Sequence, residues 1–265
     1  MSIIGQRKLL STLNSFTLDT FPRSCIFIGE KGIGKHTFVN YIKENILKLP
    51  LIDITDNISY EYILDIYQNP NPAIYFVNLS TVTEATQNAL LKFLEEPLNN
   101  SFICLIAESK ANVLPTILNR CRQFLFEPYS REELSTFITE EKDRDLLLSV
   151  LRTPGKILNS YVKNMGEMLE ICNKIVNKLN IASFPNTLSI ARKINFKDQY
   201  DKYDLDIFLD MLCIACFNDY IKSNSNKSLY MYQLIKSEKQ KLVDSRLNKE
   251  IFFDHLLTIL WKAAR

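Results

Sequence analysis

An α/β domain on a parallel sheet, followed by a run of helices, is the fold class this sequence predicts. Short, wholly apolar runs at Cys25–Ile28, Ala73–Val77 and Phe102–Ala107 alternate with helical stretches. That is the pattern of strands buried on both faces between crossover helices. A glycine-rich stretch, Gly29-Glu-Lys-Gly-Ile-Gly34-Lys35, directly follows the first run. From residue 165 onward, apolar positions such as Phe208, Leu209, Leu212 and Cys216 recur at helical intervals.

The totals set outer limits. A chain of 265 residues is long for one compact unit, so two or three subdomains are expected. With 46% hydrophobic and 23% charged residues it has the balance of a globular protein. A chain of this size buries roughly 70–75% of its unfolded surface. A net charge of +2 argues against a strongly electrostatic nucleic-acid binder but leaves room for a local basic face. No signal peptide or long apolar segment is visible, so a cytoplasmic protein with no membrane partner is expected. The six cysteines, at 25, 104, 121, 172, 213 and 216, then read as free, buried thiols. Only Cys213-Ile-Ala-Cys216 has ligand-like spacing, and it lies in an apolar helical stretch. A structural zinc needs two more ligands, and His255 has no Cys or His beside it, so core packing is expected and zinc is not.

In chain order, Ile3-Ile-Gly-Gln6 leads into an amphipathic helix to Phe16, broken at Phe21-Pro22. Cys25–Ile28 is the first strand, and a helix through about Lys48 follows the glycine loop. Leu51–Thr55 reads as a second strand, Tyr60–Tyr67 as a short helix, and Asn69–Pro72 as a turn before the third strand, Ala73–Val77. A helix over Glu84–Glu96 is expected, with Thr83 as N-cap and Pro97 as its stop. The fourth strand, Phe102–Ala107, precedes a short helix opened near Pro115 that delivers Arg120-Cys121. A last strand, Gln123–Phe126, closes a five-stranded parallel sheet, and Glu127-Pro128 marks a boundary. This order of elements around a glycine loop is that of a P-loop domain of the AAA+ kind. Core, helical lid and helical C-terminal part are expected over 1–127, 128–164 and 165–265. Helices are expected at 131–140, 143–151 and 155–163 in the lid, and at 166–180, 186–194, 204–222, 228–244 and 249–264 beyond it.

The glycine loop fits the G-x4-G-K pattern up to its last position. Backbone N–H groups freed by the glycines can curl around a phosphate, the helix start adds a favourable dipole, and Lys35 can bridge phosphate oxygens. The candidate nucleotide-binding residues are Gly29, Gly32, Gly34, Lys35, His36 and Thr37. The alternative is a glycine turn that holds no phosphate. At the last position a Ser or Thr hydroxyl would coordinate Mg²⁺, and this chain has His36. Thr37 lies about 100° further round the helix and cannot substitute. The third strand, which in a hydrolysing enzyme ends in Asp and often Glu, runs here into Asn78-Leu79. No metal site is therefore expected.

At these residues the chain resembles the bacterial DNA polymerase III clamp-loader family. The resemblance rests on Ile3-Ile-Gly-Gln6, the P-loop, Ala89-Leu-Leu-Lys-Phe-Leu-Glu-Glu-Pro97 and Leu114-Pro-Thr-Ile-Leu-Asn-Arg-Cys121, and covers residues 1–160. It implies a sensing position near Ile106-Ala107, where neither side chain can hydrogen-bond, and a lid arginine position occupied by Gly155. It also implies a catalytic arginine acting in trans, Arg120, in Asn119-Arg-Cys121 where the family has Ser-Arg-Cys. The elements for using ATP in cis are degraded while the trans element is intact, which looks like the delta-prime type of subunit. The implied partners are motor (gamma/tau-type) and delta-type subunits, with sliding clamp and primer-template DNA reached through the assembly. The family's four-cysteine zinc module is missing, since Lys43–Pro72 holds no cysteine. The only cofactor implied is ATP or ADP held without turnover, and the helical C-terminal part would be the collar through which subunits associate.

Other readings stand beside these. Arg120 could be a capping or salt-bridging residue at a helix end. Lys92 with Asn88 and Glu96 reads as a solvated face, and Cys121 as a small buried hydrophobe. His36 is either a phosphate contact or a partly exposed helix-start residue. Lys236, Lys239 and Lys241 read as a solvated face. For the whole protein, the alternatives to a non-hydrolysing stator are an ATP-hydrolysing motor subunit and a loader-like P-loop protein of a phage or repair assembly.

Overall fold

The computed structural model describes residues 3–68, 71–96, 100–138, 144–158, 165–181, 205–239 and 248–265. The chain forms two compact units, Met1–Phe137 with Thr153–Gly155, and Ile138–Arg152 with Lys156–Arg265.

The first unit runs α1 (Arg7–Asn14), β1 (Ser24–Ile28), α2 (Lys35–Ile42), β2 (Leu51–Asp53), α3 (Tyr60–Gln68), β3 (Ile74–Asn78), α4 (Glu84–Ala89), α5 (Leu91–Glu95), β4 (Phe102–Ala107), α6 (Pro115–Leu118), β5 (Arg122–Leu125) and α7 (Arg131–Ser135). The strands pair in parallel in the order β2-β3-β4-β1-β5. Successive strand residues point to opposite faces, and both faces are buried. Ile26, Tyr75, Val77, Ile103 and Leu105 join Ile63, Phe93 and Ile117 on one side. Cys25, Phe27, Ile74, Phe76, Cys104 and Ile106 join Leu13, Phe38 and Ile42 on the other. This is why the strands read as continuous apolar runs. The register sets Ile28 beside Ala107 and Leu125, and Asn78 beside Ile106. The glycine loop and the residues after β3 and β4 therefore share one edge of the sheet, where ligands bind in open α/β folds.

The stretch expected as a single helix over Glu84–Glu96 is two. Thr83 does cap it, its hydroxyl accepting from the Thr86 amide. The helix then tightens at Leu90, whose N–H bonds to the carbonyl of Gln87 three residues back. Leu90 is fully buried at this joint. The helix after the glycine loop continues as expected to Leu47, but its last turn, Lys43–Leu47, is a wider π-turn that ends at the left-handed Lys48. In α7 the stop comes early. A Ser130/Glu133 capping box opens it, and bonds from Thr136 and Phe137 to residues three back close it.

The second unit contains α8 (Arg144–Val150), most of α9 (Pro154–Leu158), α10 (Met165–Ile181), α11 (Leu205–Ser223), α12 (Asn226–Lys239) and α13 (Lys249–Ala263). α11 is its centre, with Phe208, Leu209, Met211, Leu212 and Cys216 all buried. Phe208 meets Phe253 of α13 edge-on at 5.4 Å. The helix expected at 186–194 lies outside the described residues. Cys213 and Cys216 are buried free thiols, and burial pushes the Cys213 thiol up to about 12. Lys239 differs from the solvated face expected of it. Its ammonium lies 3.0 Å from Asp206 and 2.5 Å from Asp210, and Asp206 also pairs with Lys156 at 2.7 Å. Lys236 lies 5.4 Å from the centre of the Tyr232 ring, and Lys241 is outside the described residues. No described helix is long and apolar enough to cross a membrane.

Candidate nucleotide loop and arginine site

The glycine loop is hung on the end of the sheet, where the Gly29 amide donates to the carbonyl of Ala107 at 3.1 Å. Gly34 then takes φ 108°, a conformation closed to side-chain-bearing residues, and starts α2. Lys35 is buried at 6% exposure, and its ammonium donates to the carbonyls of Gly29 and Glu30 at 2.5 and 2.9 Å. Burial lowers its pKa, against the opposing charges of Glu108 and Glu30.

His36 and Thr37 follow on the exposed side of α2. The His36 ring lies 5.0 Å from the ring of Phe76 in β3. Burial, then the charge of Lys35, lower its pKa, against a pull upward from Asp53. The two positions after Val77 are both used by the fold. The Asn78 side-chain oxygen accepts from the Ser80 amide at 3.1 Å, and its own amide donates to the Thr55 hydroxyl at 3.0 Å. Leu79 is core, at 2% exposure. Magnesium takes oxygen ligands, several of them charged; His36 and Leu79 offer none, and Asn78 offers one uncharged amide oxygen that already accepts from Ser80. Among the described residues no cluster of His, Cys, Asp and Glu is placed to hold a metal ion.

The segment Thr153–Gly155 lies directly on the glycine loop. The Gly155 amide donates to the Gly32 carbonyl at 2.8 Å, and the fully buried Thr153 hydroxyl donates to the Lys31 carbonyl at 3.1 Å. A Cβ at 155 would sit 2.7 Å from Gly32 Cα, so this close approach requires glycine. On the other flank, the Tyr129 ring packs against Gly5 and its hydroxyl faces Gly34. The candidate nucleotide-binding residues Gly29, Gly32, Gly34, Lys35, His36 and Thr37 thus share one loop and helix start. At the two positions expected to handle a metal stand His36, which has no oxygen, and Asn78, whose side-chain oxygen accepts from Ser80.

Arg120 is positioned by different elements. It follows α6, two residues past Leu118, and is exposed. Its Nη1 donates to the Thr116 carbonyl at 3.0 Å and its Nη2 to the Glu95 carboxylate at 2.5 Å. The side chain keeps 35% exposure. The salt-bridging role weighed for it from sequence is therefore real, and it leaves part of the guanidinium facing outward. Cys121, next in the chain, is buried, and burial pushes its thiol up to about 12, the behaviour of a core residue and not of a nucleophile.

Two glutamines hold this architecture: Gln6, which closes the Ile3-Ile-Gly-Gln6 motif, and Gln87, which the sequence did not single out. Gln87 is 5% exposed, donates to the Asn112 carbonyl at 3.0 Å and accepts from the Leu114 amide at 3.0 Å, tying α4 to the loop before α6. Gln6 accepts from the Glu127 amide at 3.0 Å and donates to its carbonyl, fastening the start of the chain beyond the end of β5. The partners of the two glutamines lie 25 to 121 residues away, so no local pattern reveals them.

The parallel sheet with its glycine loop, flanking helices and helical second unit defines a P-loop protein of the AAA+ class. A gamma-subunit-related protein of DNA polymerase III from Thermotoga maritima superposes with a TM-score of 0.58 over 97% of this chain and 99% of that one, at 15% identity. The family described as "DNA polymerase III, delta subunit" matches residues 67–130. The DNA polymerase III subunit delta' of Haemophilus influenzae is 47% identical over 21% of this chain and 17% of its own length. The subunit of that name from Bacillus subtilis is 30% identical over 68% of this chain and 62% of its own length. The chain is thus similar, over part of its length, to delta-prime subunits of DNA polymerase III, and it has the fold of the AAA+ class. It spans less than two thirds of the length of these two subunits.

Proposed function

We propose that this chain is a non-hydrolysing stator subunit of a DNA polymerase III clamp loader, supplying Arg120 in trans to the ATP site of a neighbouring subunit. The observation that carries this is the partly exposed guanidinium of Arg120, set against a nucleotide loop stripped of its metal ligands. His36 stands where a hydroxyl would meet magnesium, Asn78 is engaged in a turn, and Leu79 is core. Gly155, where the family places a phosphate-sensing arginine, is pressed onto Gly32. A chain so built has little means of activating water on its own nucleotide. If ATP or ADP occupies the loop, Gly29, Gly32, Gly34, Lys35, His36 and Thr37 are the residues that hold its phosphates, and the nucleotide supplies binding energy and not chemistry.

A guanidinium aimed at the γ-phosphate of an adjacent subunit stabilises charge that builds up in the transition state, worth on the order of 10³ to 10⁵ in rate where an arginine serves this way. The partners are the motor (gamma/tau-type) and delta-type subunits, in the cytoplasm, with sliding clamp and primer-template DNA met through the assembly. The test is Arg120→Ala in the assembly reconstituted from the same source, with clamp and primer-template present. ATP turnover is expected to fall at least tenfold, with assembly by gel filtration intact. Undiminished turnover in an intact assembly refutes the role.

A further inference from the structure

Arg120 is gripped at two points, and one belongs to a different helix. Its Nη1 bonds to the carbonyl of Thr116 one turn earlier, and its Nη2 to the carboxylate of Glu95 at the end of α5. Two contacts on two nitrogens fix the plane of a guanidinium, and of its five N–H donors the rest are left to meet a phosphate. Glu95 itself stands on a firm base. Phe93 and Leu94 beside it are buried at 0% and 5% exposure. The Tyr67 hydroxyl contacts the carbonyls of Lys92 and Glu96 at 3.2 and 2.6 Å, pinning the last turn of α5.

An ion pair with 35% and 50% side-chain exposure contributes little to folding. Its geometry has another consequence. An unrestrained arginine must give up rotamer freedom each time it engages a neighbour's nucleotide, and a pre-set fork avoids that loss. We infer, on the basis of the trans role proposed for Arg120, that Glu95 is a positioning residue that presents the Arg120 guanidinium to the neighbouring subunit's nucleotide. Glu95 does not touch that nucleotide and acts only through Arg120.

The test uses the assembly reconstituted from the same source, with clamp and primer-template DNA, and steady-state ATP hydrolysis. Glu95→Ala is expected to lower kcat roughly tenfold, with KM for ATP unchanged. Glu95→Gln keeps an acceptor oxygen at the same place and is expected to stay within about threefold of the parent. The double variant with Arg120→Ala is expected to be no slower than Arg120→Ala alone, because the two act as one unit. Gel filtration should give the same amount of assembly in each case, which separates positioning from lost association. An undiminished kcat for Glu95→Ala, a Glu95→Gln as slow as Glu95→Ala, or a double variant slower than Arg120→Ala overturns the inference while the role of Arg120 stands. If Arg120→Ala itself hydrolyses ATP normally, both fall.

Discussion

His36 stands at the position where the G-x4-G-K pattern continues with Ser or Thr. An imidazole packed on Phe76, beside Lys35, replaces a hydroxyl that would bind magnesium. Its partial burial and the lysine's charge disfavour the imidazolium, so its folded pKa lies below the ordinary value of about 6.5. The unfolded chain therefore binds the proton more readily than the folded one. Stability contributed by the neutral imidazole is complete above the unfolded pKa and is lost as pH falls from there through the folded pKa. His36→Gln is expected to flatten the part of the stability–pH curve just below pH 6.5 that belongs to this group. Thermal unfolding of both proteins across that range checks it. An identical slope for the two would mean that the imidazole titrates as if exposed.

Among elements, the contact of Thr153–Gly155 with the glycine loop is the one most sensitive to a single atom. The obstacle that a side chain at 155 would meet is the Gly32 backbone, not a flexible side-chain end. Gly155→Val is thus expected to cost roughly 2–3 kcal/mol by overpacking, seen as a lower urea midpoint at unchanged slope. Wild-type stability in that variant would mean that the segment leaves the loop at little cost. The joint between α4 and α5 teaches a related point. Helical spacing over Glu84–Glu96 is continuous in the sequence, and the interruption at Leu90 comes from tertiary contacts. Gln87 is drawn inward to bond the backbone at 112 and 114, and Leu90 is drawn into the core. Periodicity records which side of a helix is apolar, not where its axis is tightened to meet a neighbouring loop.

For the whole molecule, the isolated chain with ATP and magnesium is expected to release no more phosphate than its Lys35→Ala variant. A steady-state phosphate assay decides this, and brisk release abolished by Lys35→Ala would restore the motor-subunit alternative. In the second unit, Lys239 bridges Asp206 and Asp210 and pulls both carboxylates down, yet their pKa values end up shifted in opposite directions. Burial raises Asp210 overall, whereas for Asp206 the bonds and charges of Lys156 and Lys239 outweigh burial and lower it. A lysine in a charge run reads as solvated until its helix is packed against two aspartates from another.

The sequence alone determined the strands, their parallel kind, the glycine loop and the identity of the residues, His36, Asn78 and Leu79, at its last position and after β3. Those are properties of short stretches, in which burial on both faces or one turn's chemistry dictates residue type. Tertiary structure alone decided that Glu95 holds Arg120, that Gln6 and Gln87 stitch distant backbone, and that Gly155 rests on Gly32. Each joins residues that packing brings together across loops or strands, and such pairings leave no periodic trace in the chain.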